Sequence, residues 1–131
     1  MTQKEKQILL RDLCTRLPHG VNLHIEFYDL QGDGKLASRD VKLTAGNIGY
    51  CFGNSHWVDI KPYLRPMSSM TKEEKAEYTS YCFEQPFLQK DKTPNLGSVP
   101  MCIDWLNAHH FDYRGLIPMG LALEAPEGMY V

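Results

Sequence analysis

His109 and His110 stand side by side with Asp112 just beyond them, and these residue types could hold a metal ion or move a proton. Their spacing argues against both. Neighbouring residues on a helix project about 100° apart, so adjacent imidazoles do not converge on one ion. Side chains meet at a spacing of four, and the residues four before this pair are Trp105 and Leu106, neither of them a ligand. His109 is therefore expected to stack on Trp105, and His110 to extend an apolar stripe through Leu106. Asp112 reads as a helix cap. A metal-dependent enzyme built on His109, His110 and Asp112 is kept as the last of three readings. No catalytic, cofactor-binding or metal-ligating residue is assigned, and no cofactor is expected.

The sharpest motif match lies in DLQGDGKLASRD. Asp29, Gln31, Asp33, Gly34, Leu36 and Asp40 occupy positions one, three, five, six, eight and twelve of an EF-hand calcium loop. Hard oxygen ligands at alternate positions and a glycine at the bend are what calcium needs. The residues before the motif, however, alternate like a strand rather than a helix. Asp40 is also shorter than the bidentate Glu that closes such loops, and Asp with Gly is what any hairpin tip uses. A structural turn is the expected reading.

Nucleophilic and phosphate chemistry find no footing. The chain has no GxSxG elbow, no GxGxxG and no GxxxxGK[ST]. Cys14, Cys51, Cys82 and Cys102 are widely spaced, without the close pairs of a zinc site or a redox dithiol. They are expected to be reduced and mostly buried, Cys102 as a small packing thiol near a helix start. Base stacking would rest on Lys61, Arg65 and Lys72 with Tyr63 and Trp57. A net charge of -2 does not favour nucleic acid.

The elements that must position these groups follow from local signals. Thr2 and Glu5 form a capping box ahead of a helix whose Ile8, Leu9, Leu13 and Leu17 make one stripe, closed by Pro18-His19-Gly20. Val21, Leu23, Ile25 and Phe27 then alternate with polar residues as a half-buried strand, and Val41 and Leu43 return from it. Ile48, Tyr50 and Phe52 suggest a third strand, and Val58 and Ile60 a fourth, joined across Gly53-Asn54-Ser55. Pro62 and Pro66 mark an extended crossover leaving the sheet. Thr71 and Glu74 cap a second helix that buries Tyr78, Tyr81 and Cys82. QKDKTPNLG, residues 89–97, reads as a mobile loop. A third helix runs from about Val99 to His109 with Ser98 as its cap, and Asp112 caps a short turn interrupted by Pro118. The apolar tail is expected to pack back onto the domain.

At 131 residues, with 43% apolar and 23% charged residues, the chain is expected to be one domain spanning 1–131 that needs no disulfide or metal to fold. The charged, amphipathic N-terminus and the absence of a long apolar run predict a cytoplasmic protein without a membrane partner. The fold class is α+β: an N-terminal helix, a small antiparallel sheet or partly open barrel of about four short strands, then two or three C-terminal helices.

DLCTRLP, KPYLRPMSSMT and the C-terminal DWLNAHHFDYRGLI with GLALEAPEGMY carry a resemblance. The chain resembles short uncharacterised proteins of gut Bacteroides-type bacteria and their phages or mobile elements. Pro118 departs from that pattern, so the last helix is expected to be short. The resemblance implies a context and no activity. The leading expectation is a non-enzymatic binding or accessory protein acting through contacts with a host or phage protein. Its candidate surface is Tyr63, Arg65, Trp105, His109, Tyr113 and Arg114, because aromatic and arginine side chains dominate interface energetics. A nucleic-acid-associated accessory factor is the alternative.

Overall fold

The capping box at Thr2 forms as its residues dictate: Glu5 N–H donates to Thr2 Oγ1 at 3.1 Å and Thr2 N–H to the Glu5 carboxylate at 3.0 Å. It starts helix α1 (Gln3–Arg16), which passes through a tight turn at Leu17–His19 and stops at Gly20, in the left-handed region at φ 69°. The computed structural model describes residues 2–51, 57–82 and 98–130. After α1 come β1 (Asn22–Tyr28), β2 (Leu36–Lys42), β3 (Trp57–Leu64), α2 (Lys72–Cys82), α3 (Ser98–Ala108) and β4 (Leu123–Glu124). The strands form one open sheet in the order β2-β1-β3-β4. Its pairs are antiparallel except β3 with β4, which is parallel. The chain is thus α+β with an unclosed sheet, and the sheet is mixed rather than wholly antiparallel.

Alternation sets its two faces. Leu23 and Ile25 of β1 are fully buried, and with Leu9, Leu13, Leu43, Leu64, Leu116 and Leu121 they form the main core between the sheet, α1 and the C-terminal segment. His24, Glu26 and Tyr28 face the other way, opposite Asp40, Ser38 and Leu36 of β2. A second cluster, Met70, Trp105, Leu106 and Phe111 with Tyr78 packed against it, holds α2 to α3.

Pro62 is the clearest correction to the sequence reading. It lies inside β3, paired with Leu23, rather than in a crossover leaving the sheet. Leu43 N–H donates to Val21 O at 2.9 Å, so the odd residues of β1 bond toward β2 and the even ones toward β3. Leu23 and Pro62 are consequently a pair that exchanges no hydrogen bond, and the missing N–H of Pro62 points to the side where β4 begins only at Tyr63. A proline fits a strand where no ladder bond is due. Ile48, expected in a strand, begins a 3₁₀ turn, Ile48–Cys51, held from Thr44 and Asn47.

The C-terminal tail packs back as expected, and in a specific way. Where β1 and β3 part, the Tyr130 hydroxyl is inserted between them, accepting from Asn22 N–H at 2.9 Å and donating to Tyr63 O at 2.7 Å. The predicted fourth helical turn is absent: Asp112 caps a run of turns, accepting from Leu116 N–H at 2.7 Å and Ile117 N–H at 2.9 Å. Cys14 and Cys51 are free, the first exposed and the second buried, while Cys102 is disulfide-bonded, which corrects the expectation of a packing thiol there. The Gly53-Asn54-Ser55 link, the 89–97 loop and the packing of Tyr81, Cys82 and the Ser98 side chain lie outside the described residues. Among those residues no helix is long and apolar enough to cross a membrane.

Candidate functional site

The six residues singled out from the sequence fall into three places. Arg65, Trp105 and His109 come together, as one stack. The Arg65 guanidinium lies 4.2 Å over the Phe111 ring, Phe111 stacks on Trp105 at 5.8 Å, and Trp105 on His109 at 4.0 Å. Trp105 is only 7% exposed, so it is a core residue of this cluster. Arg65 holds Glu74 through two hydrogen bonds of 2.7 and 2.6 Å, tying the end of β3 to the start of α2. That pairing, with help from the Thr71 backbone N–H, holds the Glu74 carboxyl far down, at about 2.

Tyr113 packs against the same cluster from the side of α1, and Arg114 sits beside it against α1. There Asp12 and Arg16, both fully buried, make an ion pair at 2.6 Å, and Arg114 reaches Asp12 at 3.2 Å from the surface side. Arg16 also donates to Phe111 O at 2.7 Å, across 95 residues of sequence, and its guanidinium packs on the Tyr113 ring. Two of the six candidate residues thus serve to join α1 to the segment after α3.

His109, His110 and Asp112 diverge. The His109 ring nitrogen Nδ1 bonds to Trp105 O at 2.9 Å. His110 is not on the helix stripe. It is the left-handed residue that ends α3, at φ 62°, with its N–H on Asn107 O and Phe111 N–H on Leu106 O. Those two bonds are a Schellman closure, a position glycine or asparagine commonly takes. The His110 ring is flipped onto Tyr130, stacked at 3.7 Å. Asp112 is used as the turn cap described above. The calcium loop fails on register: Asp40 pairs with His24, four positions along the strand from the Tyr28–Leu36 pair, or about 13 Å. Among the described residues no group of three His, Cys, Asp or Glu side chains is placed to hold a metal.

The sixth residue, Tyr63, belongs to a site that sequence reasoning missed. On the outer sheet face His24 of β1, Asp40 of β2 and Tyr63 of β3 converge: His24 Nδ1 and Tyr63 Oη each lie 2.9 Å from Asp40 Oδ1. His24 and Asp40 are a strand pair exchanging no backbone bonds, the geometry that brings side chains closest. The His24 ring beside it holds the Asp40 carboxyl below its usual range, and the Tyr63 hydroxyl adds to this. Burial, then the bond to Asp40, pushes the Tyr63 hydroxyl up. A phenol so held is a poor nucleophile, and the trio acts as a polar clasp across three strands. The signal was in the sequence as the outward set of β1, but its partners stand 16 and 39 residues away.

Beyond the clasp and the polar residues Glu26, Ser38 and Asp59, the hairpin end of the same face carries exposed apolar side chains. Tyr28 and Leu36 are cross-strand partners, 56% and 52% exposed, with Leu30 at the hairpin tip 82% exposed. Among the described residues no strand pairs with the neighbouring edge of β2: the parity of the ladder turns the backbone groups of Leu36, Ser38 and Asp40 away from β1. Lys42 O at the far end is covered by the Asn47 side chain at 2.9 Å.

Comparison of the chain with protein-family models, with curated proteins and with solved structures finds no match.

Proposed function

We propose that this chain is a non-enzymatic binding or accessory protein, acting in the cytoplasm through protein contacts in the setting of a phage or mobile element. The contact surface in this reading is the hairpin end of the outer sheet face. The observation that carries it is the exposed group Tyr28, Leu30 and Leu36, beside an edge of β2 that no described strand covers. Isolated apolar side chains on a surface need no explanation, but a cluster with an aromatic member marks a contact site. An open edge next to it supplies backbone donors and acceptors that an incoming strand can use. Arg65, one of the three cations on which base stacking would rest, is already committed to Glu74 and Phe111, which favours protein over nucleic acid.

The test is side-by-side affinity capture from lysate of a gut Bacteroides-type host, with the wild-type chain and the Tyr28→Ser/Leu36→Ser variant, at low and high salt. The expected result is one stoichiometric protein that survives high salt and binds the variant about 30-fold more weakly, the loss of about 2 kcal/mol typical of a hot-spot pair. Nucleic acid released as salt rises, equally from both baits, would replace this reading with the nucleic-acid alternative.

A further inference from the structure

A cleft lies between the α1–β1 turn, the end of α3 and the C-terminal tail, at the end of the sheet away from the β1–β2 hairpin, with a cavity of about 430 Å³. That is within the range of small-ligand pockets. Its charge is unbalanced. Positive or protonatable side chains enter from separate elements: His19 from the turn, Lys42 from the end of β2, Arg65 from the residue after β3, and His109 and His110 from just past α3. The one carboxylate in the lining, Glu74, is already taken in two hydrogen bonds by Arg65. Lys42 has no carboxylate partner among the described residues.

Lys42 is also positioned rather than free in solvent. Its chain lies across Gly20, where a Cβ would overlap Lys42 Cε and stand 3.1 Å from Nζ. Gly20 therefore serves the left-handed turn and the seating of the ammonium beside His19 together. On the facing wall, His110 Nδ1 is buried with no hydrogen-bond partner, and its ring is fixed against Tyr130.

We infer that this cleft binds a small oxyanion, the phosphate or carboxylate group of a metabolite-sized ligand, through Lys42, His19 and His110. Its polar wall supplies charge and donors, and Tyr130 and Met129 supply apolar surface for the rest of such a ligand. The state of His110 agrees: burial first, then the positive field of Arg16, His19, His109 and Arg65, push it down to about 4. An anion among those groups relieves that field and lifts His110 back toward its ordinary range.

The experiment is an NMR titration of the full chain, following the histidine rings, with inorganic phosphate and separately with acetate against sodium chloride at matched ionic strength. The expected result is saturable shifts of His19 and His110 with His24, held by Asp40 outside the cleft lining, unmoved. The His110 titration midpoint should rise when the anion is present. Lys42→Gln should weaken the response about tenfold, and Lys42→Arg should keep it, as one charge-assisted hydrogen bond predicts. Saturation by phosphate alone assigns the phosphate class, and saturation by acetate as well assigns oxyanions generally. Shifts no different from those of chloride, or a saturable response unchanged in Lys42→Gln, would overturn the inference.

Discussion

The buried pair Asp12–Arg16 gives the sharpest test of how this fold is held together. Both residues are fully buried, and their salt bridge is the junction where α1 meets the segment after α3. Asp12→Ala leaves the Arg16 guanidinium in the interior with Phe111 O as its remaining hydrogen-bond partner. Arg16→Met leaves the Asp12 carboxylate with only the partly exposed Arg114 at 3.2 Å. Removing one member of a buried pair costs about 3–5 kcal/mol, because an uncompensated charge stays behind. That is a large share of the roughly 5–15 kcal/mol that stabilises a domain. The double variant Asp12→Leu/Arg16→Met removes both charges and refills the space with apolar atoms. Its remaining losses are the donor to Phe111 O and the carboxylate facing Arg114, about 1–3 kcal/mol. Urea unfolding of the four proteins should therefore give a coupling energy of at least about 2 kcal/mol, with the double variant more stable than either single one. Single variants that each lose less than about 1 kcal/mol, or that add up to the double variant, would refute the view that the pair is electrostatically closed off from water.

Tyr130→Phe removes the hydroxyl that bridges β1 to β3 and leaves Asn22 N–H and Tyr63 O unpaired, so urea midpoints should show a loss of about 2–3 kcal/mol. Glu74 is held at about 2 against an ordinary 4.5, so its pairing with Arg65 adds stability that is present above pH 4.5 and fades as pH falls toward 2. In Glu74→Gln, unfolding midpoints measured across that window should show a weaker acid dependence, starting from lower stability at neutral pH. Gly20→Ala meets both a left-handed backbone and the Lys42 side chain, so it should destabilise by more than about 1 kcal/mol, whereas Gly49→Ala, with open space around it, should change stability far less.

Local signals were readable wherever the partners lie within about one helical turn of each other. The capping boxes Thr2–Glu5 and Thr71–Glu74, the stop at Pro18-His19-Gly20, the stacking of His109 on Trp105 and the alternation of β1 all form as the residues predict. Each depends on a short stretch of backbone whose geometry follows from residue type. What tertiary structure decided is everything that waits on a distant partner. Pro62 enters a strand because β4 leaves its N–H side unclaimed. Arg16 reads in the sequence as the last basic residue of a helix. It is buried because Asp12, Phe111 O and Tyr113 meet it from two ends of the chain. His110 leaves its stripe because α3 needs a left-handed residue to end, and Tyr130, arriving from the tail, supplies a ring for it to rest on. The clasp of His24, Asp40 and Tyr63 and the cationic cleft around Lys42 are likewise products of strand register and chain return. Hydrogen bonds and charges act over a few ångströms, and only the fold brings residues 22 and 130 within that reach.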